Sequence, residues 1–468
     1  MSGTPRFLLG AAGSGSGKTL LTCGILAAFQ KRGMALTSFK CGPDYIDPMF
    51  HRSVLGLESR NLDSFFTDRE TLRYLLERGA EGSELSVIEG VMGYFDGLGG
   101  ISMDASTSQV AAWTDTPAVL IVNGKGMSLS MVPLIRGFLD YEPKKQIRGV
   151  ILNQVSPMIY PRLKEIIEEE LSVTVYGYVP RLTDCVLESR HLGLKRPEEI
   201  ADLRERLDKL AAVLEETLDL NGLYELAKTA PALHGRAPAL SGKTYPVKIA
   251  VARDEAFDFY YADNLRLLTD LGAELVSFSP LRDREIPEAD GLLLGGGYPE
   301  IYAGGLSENH AMRRSVKQAI EAGLPTLAEC GGFLYLQETL EDEHGTHWPM
   351  AGVLKAEGFR TPKLSRFGYV TLTAGEDSLL GPAGTNLPAH EFHYWDCTEN
   401  GTAFLAKKPA GTRSWHCMVN RGTLLAGFPH IYYYGNPSAA EHYLSACLNY
   451  RRQWEAGGGT GRIAEKVR

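Results

Sequence analysis

Gly13-Ser14-Gly15-Ser16-Gly17-Lys18-Thr19 follows the apolar run Arg6-Phe7-Leu8-Leu9 and leads into a helical stretch, Lys18 to Lys31. Strand, glycine-rich turn and helix, in that order, make a phosphate-cradling loop. Glycine lets backbone N–H groups converge on phosphate oxygens, and the helix N-terminus adds a favourable field. Gly13, Ser14, Gly15, Ser16 and Gly17 are expected to form the cradle. Lys18 neutralises the β- and γ-phosphates, and the Thr19 hydroxyl faces Mg²⁺. Ala12 stands where related loops usually begin with Gly, and a small residue there keeps the turn. The plain alternative, a flexible Gly/Ser loop, does not account for the strand before it and the helix after it. The ligand implied is ATP.

Outward from that loop, short apolar runs alternate with helical stretches. Ala35-Leu36-Thr37-Ser38-Phe39, Leu85-Ser86-Val87-Ile88, Ala118 to Val122 and Gly149 to Leu152 read as buried strands. Asp68 to Glu77 reads as a helix, and the charged stretch Pro197 to Leu218 as a peripheral helix with proline at its first position. Such alternation implies an α/β domain with a parallel sheet covered on both faces. Residues 230–246 carry Pro231, Gly235, Pro238, Gly242 and Pro246 and read as a linker. A second α/β pattern then begins: Val247 to Val251, Leu275 to Phe278, Gly291 to Leu294 and Pro325 to Ala328. The expected organisation is therefore 1–229, a linker at 230–246, a second domain at 247–453, and a frayed tail at 454–468.

The first domain places acids after its strands. Lys40-Cys41-Gly42-Pro43-Asp44-Tyr45-Ile46-Asp47-Pro48-Met49-Phe50-His51 follows the second strand. In a parallel sheet that strand end faces the active crevice. Asp44 and Asp47 are candidates to hold Mg²⁺ or orient substrate, against the plain alternative of a turn with solvated carboxylates. Glu89 closes another apolar strand, a usual position for a Mg²⁺ ligand beside a phosphate loop. Asp96 lies on a loop crowded by Gly90, Gly93, Gly97, Gly99 and Gly100 and is a candidate catalytic and substrate residue. Asn153, at a strand end, is a candidate reader of the adenine edge.

The second domain suggests different chemistry. Leu327-Ala328-Glu329-Cys330-Gly331-Gly332 puts a thiol on a sharp turn opening a helix. A helix N-terminus lowers a thiol pKa, and the thiolate is the nucleophile. Gly295-Gly296-Gly297-Tyr298-Pro299-Glu300 ends an earlier strand; the amides of Gly296 and Gly331 are expected to form an oxyanion hole. The late Phe428-Pro429-His430 supplies the base. Many glutaminases of this plan carry Glu two residues after the His, but here that position is Tyr432, so a Cys–His dyad is expected.

The 468-residue chain, with a formal net charge of −9, does not look like a nucleic-acid binder. No apolar run reaches the roughly 20 residues that span a bilayer. The first six residues leave no room for a signal peptide before the first strand. Seven scattered cysteines without a CxxC pair suggest neither disulfides nor zinc, and a reducing cytoplasm is the expected home. No internal repeat is visible. Nothing in the residues specifies an oligomer; a homodimer is entertained.

Taken together, the phosphate loop, Lys40–His51, Glu89–Gly97, Glu188–Leu194, Ala328–Gly332 and His430–Pro437 resemble the cobyrinate a,c-diamide synthase family over almost the whole chain. Tyr434 departs from the family form, which often has a second His there, while Tyr432 agrees with a family that generally lacks the third acid. The resemblance implies an N-terminal phosphate-loop NTPase domain like the dethiobiotin synthetase group and a C-terminal class I glutamine amidotransferase domain. It implies ATP-dependent amidation of the a and c acetates of a tetrapyrrole polycarboxylate, with ammonia from glutamine and an acyl-phosphate intermediate. Asp44, Asp47, Glu89 and Asp96 would line the site where substrate meets ATP, and ammonia would need a shielded path. Arg52, Arg60 and Lys125 are candidate partners for the substrate's carboxylates. Two alternatives stay open: the same chemistry on nickel-sirohydrochlorin, and a non-catalytic regulatory ATPase with an amidase-like domain.

Overall fold

A computed structural model describes residues 3–182, 189–190, 193–194 and 202–456. The chain divides into two compact units, Met1–Ala237 and Pro238–Arg468. The boundary falls within 231–247, a stretch without helix or strand.

The first unit is built on a seven-stranded parallel sheet. Its strands are β1 (Arg6–Ala11), β2 (Leu36–Cys41), β3 (Ser59–Leu62), β4 (Leu85–Glu89), β5 (Ala118–Asn123), β6 (Ile147–Asn153) and β7 (Thr174–Val179), in the order β3-β2-β4-β1-β5-β6-β7. The central strands are buried along their length, as expected when helices cover both faces. β3 and β7 were not expected. β3, Ser-Arg-Asn-Leu, offers one aliphatic residue, yet all four residues are buried, its polar side chains being satisfied inside the fold. Helix α1 (Lys18–Lys31) runs back from the phosphate loop, and α2 (Ile46–Leu55) follows β2.

The charged stretch expected as a peripheral helix is helical at Leu203–Thr217. It is amphipathic, and Leu207, Leu210 and Leu214 are buried. Leu210 and Leu214 pack over Gly24 of α1, while Lys31–Asp208 and Arg32–Glu215 pair at the exposed rim. Its expected proline start, and Glu188, His191 and Leu192 of the Glu188–Leu194 segment, lie outside the described residues.

The second unit has a six-stranded sheet ordered Glu274–Phe278, Lys248–Ala252, Gly291–Leu294, Thr326–Glu329, Leu424–Gly427, Val419–Asn420. The first five strands are parallel and the last is antiparallel. A further five-stranded antiparallel sheet, not marked by apolar runs, is ordered Ser414–Cys417, Phe404–Lys407, Arg366–Ala374, Asn386–His393, His430–Ile431. Phe404–Lys407 alternates buried and exposed, the half-solvated pattern of such sheets, and such strands lack the continuous apolar runs that mark parallel ones. The final helix, Ser438–Ala456, extends three residues into the expected tail; the remainder of that tail lies outside the described residues. Among the described residues no helix is long and apolar enough to cross a membrane.

A Cβ on Gly24 would lie 2.7 Å from both Leu210 Cδ2 and Leu214 Cδ1. Gly24→Val should overpack this contact and destabilise the first unit by about 1–3 kcal/mol. Thermal denaturation of the full chain followed by circular dichroism should show the first transition lowered; an unchanged transition would mean that the two helices do not pack closely.

Candidate active site

The phosphate loop joins β1 to α1. Gly17 has φ 90°, a left-handed conformation, at the position that turns the chain into the helix. Ser16 Oγ donates to the Gly13 carbonyl at 2.8 Å, closing the loop on itself. Asn153 Nδ2 donates to the Ser16 carbonyl at 2.9 Å. The amide nitrogen expected to read adenine therefore buttresses the loop, and the residue still lines the adjoining cavity.

That cavity, about 770 Å³, is lined by Ser14, Gly15, Gly17, Lys18 and Thr19 on the loop, by Lys40, Asp44 and Asp47 after β2, and by Asn153, Gln154 and Val179 to Leu182 at the ends of β6 and β7. Of the three cations expected to meet substrate, Lys125 lines it; Arg60 is buried and ion-paired with Glu58 at 2.8 Å. Arg181, not singled out from sequence, also lines it.

Beneath the loop is a buried charge cluster. Lys40 and Glu89 are strand neighbours in register on β2 and β4. Lys40 Nζ lies 3.0 Å from Glu89 Oε1 and also pairs with Asp47. Thr19 Oγ1 donates to Glu89 Oε1 at 2.6 Å, and His51 Nε2 lies 3.4 Å from Glu89 Oε2. Burial opposes the charge on Lys40, but Asp47 and Glu89 outweigh it and raise its pKa. Burial likewise opposes the Glu89 carboxylate, but Lys40, then His51 and Thr19, hold its pKa well below the usual carboxylate range. Burial and the Glu89 charge push Asp47 the other way, upward. The roles of Lys40 and His51 were missed. The only signal was their presence at the two ends of the Lys40–His51 segment, and the pairing itself depends on sheet register.

Asp44 Oδ1 accepts from the Ile46 amide at 2.9 Å, and Asn61 of β3 donates to the Asp44 carbonyl at 2.7 Å. This carboxylate is thus set at the start of α2, facing the cavity. Asp96 is placed differently: it is exposed, absent from the cavity lining, and accepts from the Gly93 amide at 2.9 Å. Its charge favours protonated Lys18.

Mg²⁺ demands hard oxygen ligands. The Thr19 hydroxyl and the Asp44 carboxylate, both lining the cavity, fit that demand. Among the described residues no three His, Cys, Asp or Glu side chains are grouped to hold a metal alone. Glu89, expected to hold Mg²⁺ directly or through water, is 0 % exposed and accepts from the Thr19 hydroxyl.

In the second unit, Cys330 follows the strand Thr326–Glu329 and opens the helix Gly331–Tyr335. Its backbone, φ 47° and ψ −101°, is a strained elbow for a non-glycine residue. The elbow is held by Cys330 N donating to the Gly427 carbonyl and Gly332 N to the Gly295 carbonyl, each at 2.8 Å. A Cβ on Gly331 would lie 3.0 Å from Gly297 N, and one on Gly296 would lie 2.4 Å from His430 Cε1. The thiol's elbow, the Gly296–Gly297 turn and the His430 ring therefore converge. One expectation fails. Burial, then the charge of Glu300, pushes the thiol pKa up, and the Gly331 amide at the helix N-terminus opposes this too weakly. The resting sulfur is a thiol.

Burial, then the charge of Lys40, lowers the Lys18 pKa to about 8. Lys18 therefore loses its proton as pH rises through about 8. Nucleotide affinity, measured by equilibrium binding, should fall from pH 7 to 9, approaching about tenfold per unit above the midpoint when one proton is lost. A flat profile would show that Lys18 does not carry the phosphate charge.

Residues 8–193 match the CobQ/CobB/MinD/ParA nucleotide binding domain family and residues 248–436 the CobB/CobQ-like glutamine amidotransferase domain family. Proteins named cobyrinate a,c-diamide synthase are similar along nearly the whole chain. That of Listeria innocua is 41% identical, covering 92% of this chain and 97% of its own. That of Priestia megaterium is 37% identical, covering 96% and 98%. That of Salmonella typhimurium is 37% identical, covering 94% and 97%. With a nucleotide cavity in one unit and a thiol elbow in the other, the chain belongs to the cobyrinate a,c-diamide synthase family.

Proposed function

We propose that this chain amidates the a and c acetate side chains of cobyrinate, using ATP and ammonia released from glutamine, through acyl-phosphate intermediates. The observation that carries the glutamine half is the convergence of Cys330, the Gly296–Gly297 turn and His430 at one elbow. A regulatory ATPase with a degenerate amidase domain has no use for that convergence.

In the first unit, a carboxylate is too poor an electrophile to meet ammonia directly. A substrate carboxylate oxygen attacks the γ-phosphorus, ADP leaves, and the acetate becomes an acyl phosphate. Lys18 and the loop amides from Gly13 to Thr19 stabilise charge spreading on the transferred phosphoryl group. Thr19 and Asp44 would hold Mg²⁺, which supplies further neutralisation of phosphate charge. Asp44 and Asp47 position the substrate end of the cavity, with Lys125 and Arg181 available to its carboxylates. Asp96 acts from the turn beyond Met92, whose carbonyl accepts from Lys18. Ammonia then attacks the acyl carbon and phosphate leaves.

In the second unit, His430 takes the thiol proton as Cys330 Sγ attacks the glutamine carboxamide carbon. The amides of Gly296 and Gly331 receive the developing oxyanion. The imidazolium returns the proton to the departing nitrogen, ammonia leaves, and water hydrolyses the thioester to glutamate.

Cys330→Ala should abolish glutamine-driven amidation and keep ammonium-driven amidation, followed by product mass. Loss of both would make the thiol structural. Cobyrinate and nickel-sirohydrochlorin, each incubated with the protein, ATP, Mg²⁺ and glutamine, should give a diamide from cobyrinate. A diamide from nickel-sirohydrochlorin alone would overturn the substrate, and a product from neither would overturn the reaction.

A further inference from the structure

We propose that Glu329 supplies the orienting carboxylate of the glutaminase site, as a positioning residue that acts through His430. This rests on Cys330 and His430 being the amide-cleaving pair. The position where an orienting acid is expected, two residues after the His, holds Tyr432. That side chain is committed elsewhere: its hydroxyl donates to Asp263 Oδ2 at 3.2 Å, and its ring packs edge-on against Tyr261.

Glu329 directly precedes the nucleophile. Its strand, Thr326–Glu329, pairs with Leu424–Gly427, with Glu329 opposite Gly427. That register brings the carboxylate beside the segment entering His430. Glu329 Oε2 lies 3.6 Å from His430 Nδ1, and Glu329 Oε1 accepts from the Ile431 amide at 3.3 Å. One carboxylate therefore addresses both the imidazole and the backbone of the next residue.

The His430 backbone is fixed independently. His430 pairs in register with His390. Asn264 Nδ2 donates to the Ile431 carbonyl at 2.7 Å, and Asn264 Oδ1 accepts from the Tyr433 amide at 2.8 Å. With the backbone held, ring rotation is the freedom left to His430. The ring's other edge lies over the oxyanion turn: a Cβ on Gly296 would sit 2.4 Å from Cε1 and 3.3 Å from Nε2. Nδ1 thus faces a carboxylate while Nε2 faces the reaction side.

A carboxylate at Nδ1 selects the tautomer protonated there and leaves Nε2 bare to accept a proton. The proton of Cys330 Sγ–H passes to Nε2 as Sγ bonds to the glutamine carboxamide carbon. The Glu329 carboxylate balances the imidazolium until the proton moves to the leaving nitrogen. The 3.6 Å separation is a relaxed contact of the kind that shortens when substrate fills a site. A base needs this help because the buried thiol does not ionise unaided.

The test uses the full chain with Glu329→Leu, Glu329→Gln and Cys330→Ala. Glutamine-driven and ammonium-driven amidation are measured with ATP, Mg²⁺ and cobyrinate, together with the rate of Cys330 alkylation by iodoacetamide. Glu329→Leu should lower kcat for glutamine on the order of 100-fold, with KM and ammonium-driven turnover unchanged and alkylation slowed. Glu329→Gln keeps a carbonyl acceptor for Nδ1–H without the charge, and should fall between Glu329→Leu and the unaltered protein. Unchanged glutamine kcat in both Glu329 variants, with Cys330→Ala inactive on glutamine, would overturn the role of Glu329 alone. Loss of ammonium-driven turnover in both Glu329 variants would also overturn it, by making the residue structural. Glutamine use surviving in Cys330→Ala would instead sink the reading of the thiol on which the proposal stands.

Discussion

The buried cation of Lys40, set between Asp47 and Glu89, is the interaction around which the first unit is arranged. Two carboxylates below a phosphate loop would repel the phosphates and each other. Removing them from water unpaired would cost several kcal/mol per ion. Lys40 pairs with both from one position, in register with Glu89 on the adjacent strand, while burial and the Glu89 charge still favour a proton on Asp47. Its charge keeps Glu89 ionised, and Glu89 accepts from Thr19, so the last residue of the loop is oriented from below. Lys40 also depresses the pKa of Lys18. The nucleotide therefore meets a lysine whose charge is fully favoured only when phosphate is present.

The second unit uses strand ends in the same way with different chemistry. Gly291–Leu294, Thr326–Glu329 and Leu424–Gly427 are successive parallel neighbours. Their ends deliver the glycine turn, the thiol elbow and the approach to His430 to one place. His430 is then tied into the antiparallel sheet opposite His390. Burial, then the charge of His430, lowers the His390 pKa to about 3, so the neighbouring ring stays neutral and does not compete as a base. An active residue clamped between two sheets loses little orientation when the substrate arrives.

What could be read from sequence follows from the range of the interactions. The phosphate loop and the Cys330 elbow are contiguous motifs, and their strands are unbroken apolar runs, so fold class and the two reaction types were legible. Lys40, His51 and Glu329 were present inside quoted segments, but their meaning depends on which strand lies beside which. β3 escaped because Ser59, Arg60 and Asn61 form no apolar run, yet Asn61 is buried and fastens the Asp44 turn. Asp96 was legible only as a carboxylate on a glycine-rich loop; that it accepts from the Gly93 amide depends on how that loop turns. Burial also reversed the expected thiol shift. A five-residue helix N-terminus is a weaker influence than complete removal from water beside Glu300.

That reversal bears on how the two reactions are kept in step. A permanent thiolate would be nucleophilic whether or not an acceptor waits, and open to oxidation. A buried thiol beside Glu300 is a poor nucleophile until a base takes its proton, the part proposed for His430 with glutamine in place. The first unit follows the same rule with opposite charges, since Lys18 is held near the edge of deprotonation until phosphate stabilises it. In both units burial disfavours the charged form of the working residue: it raises the Cys330 pKa and lowers that of Lys18 to about 8. Idle turnover is then limited by desolvation, a property of where the residues are buried.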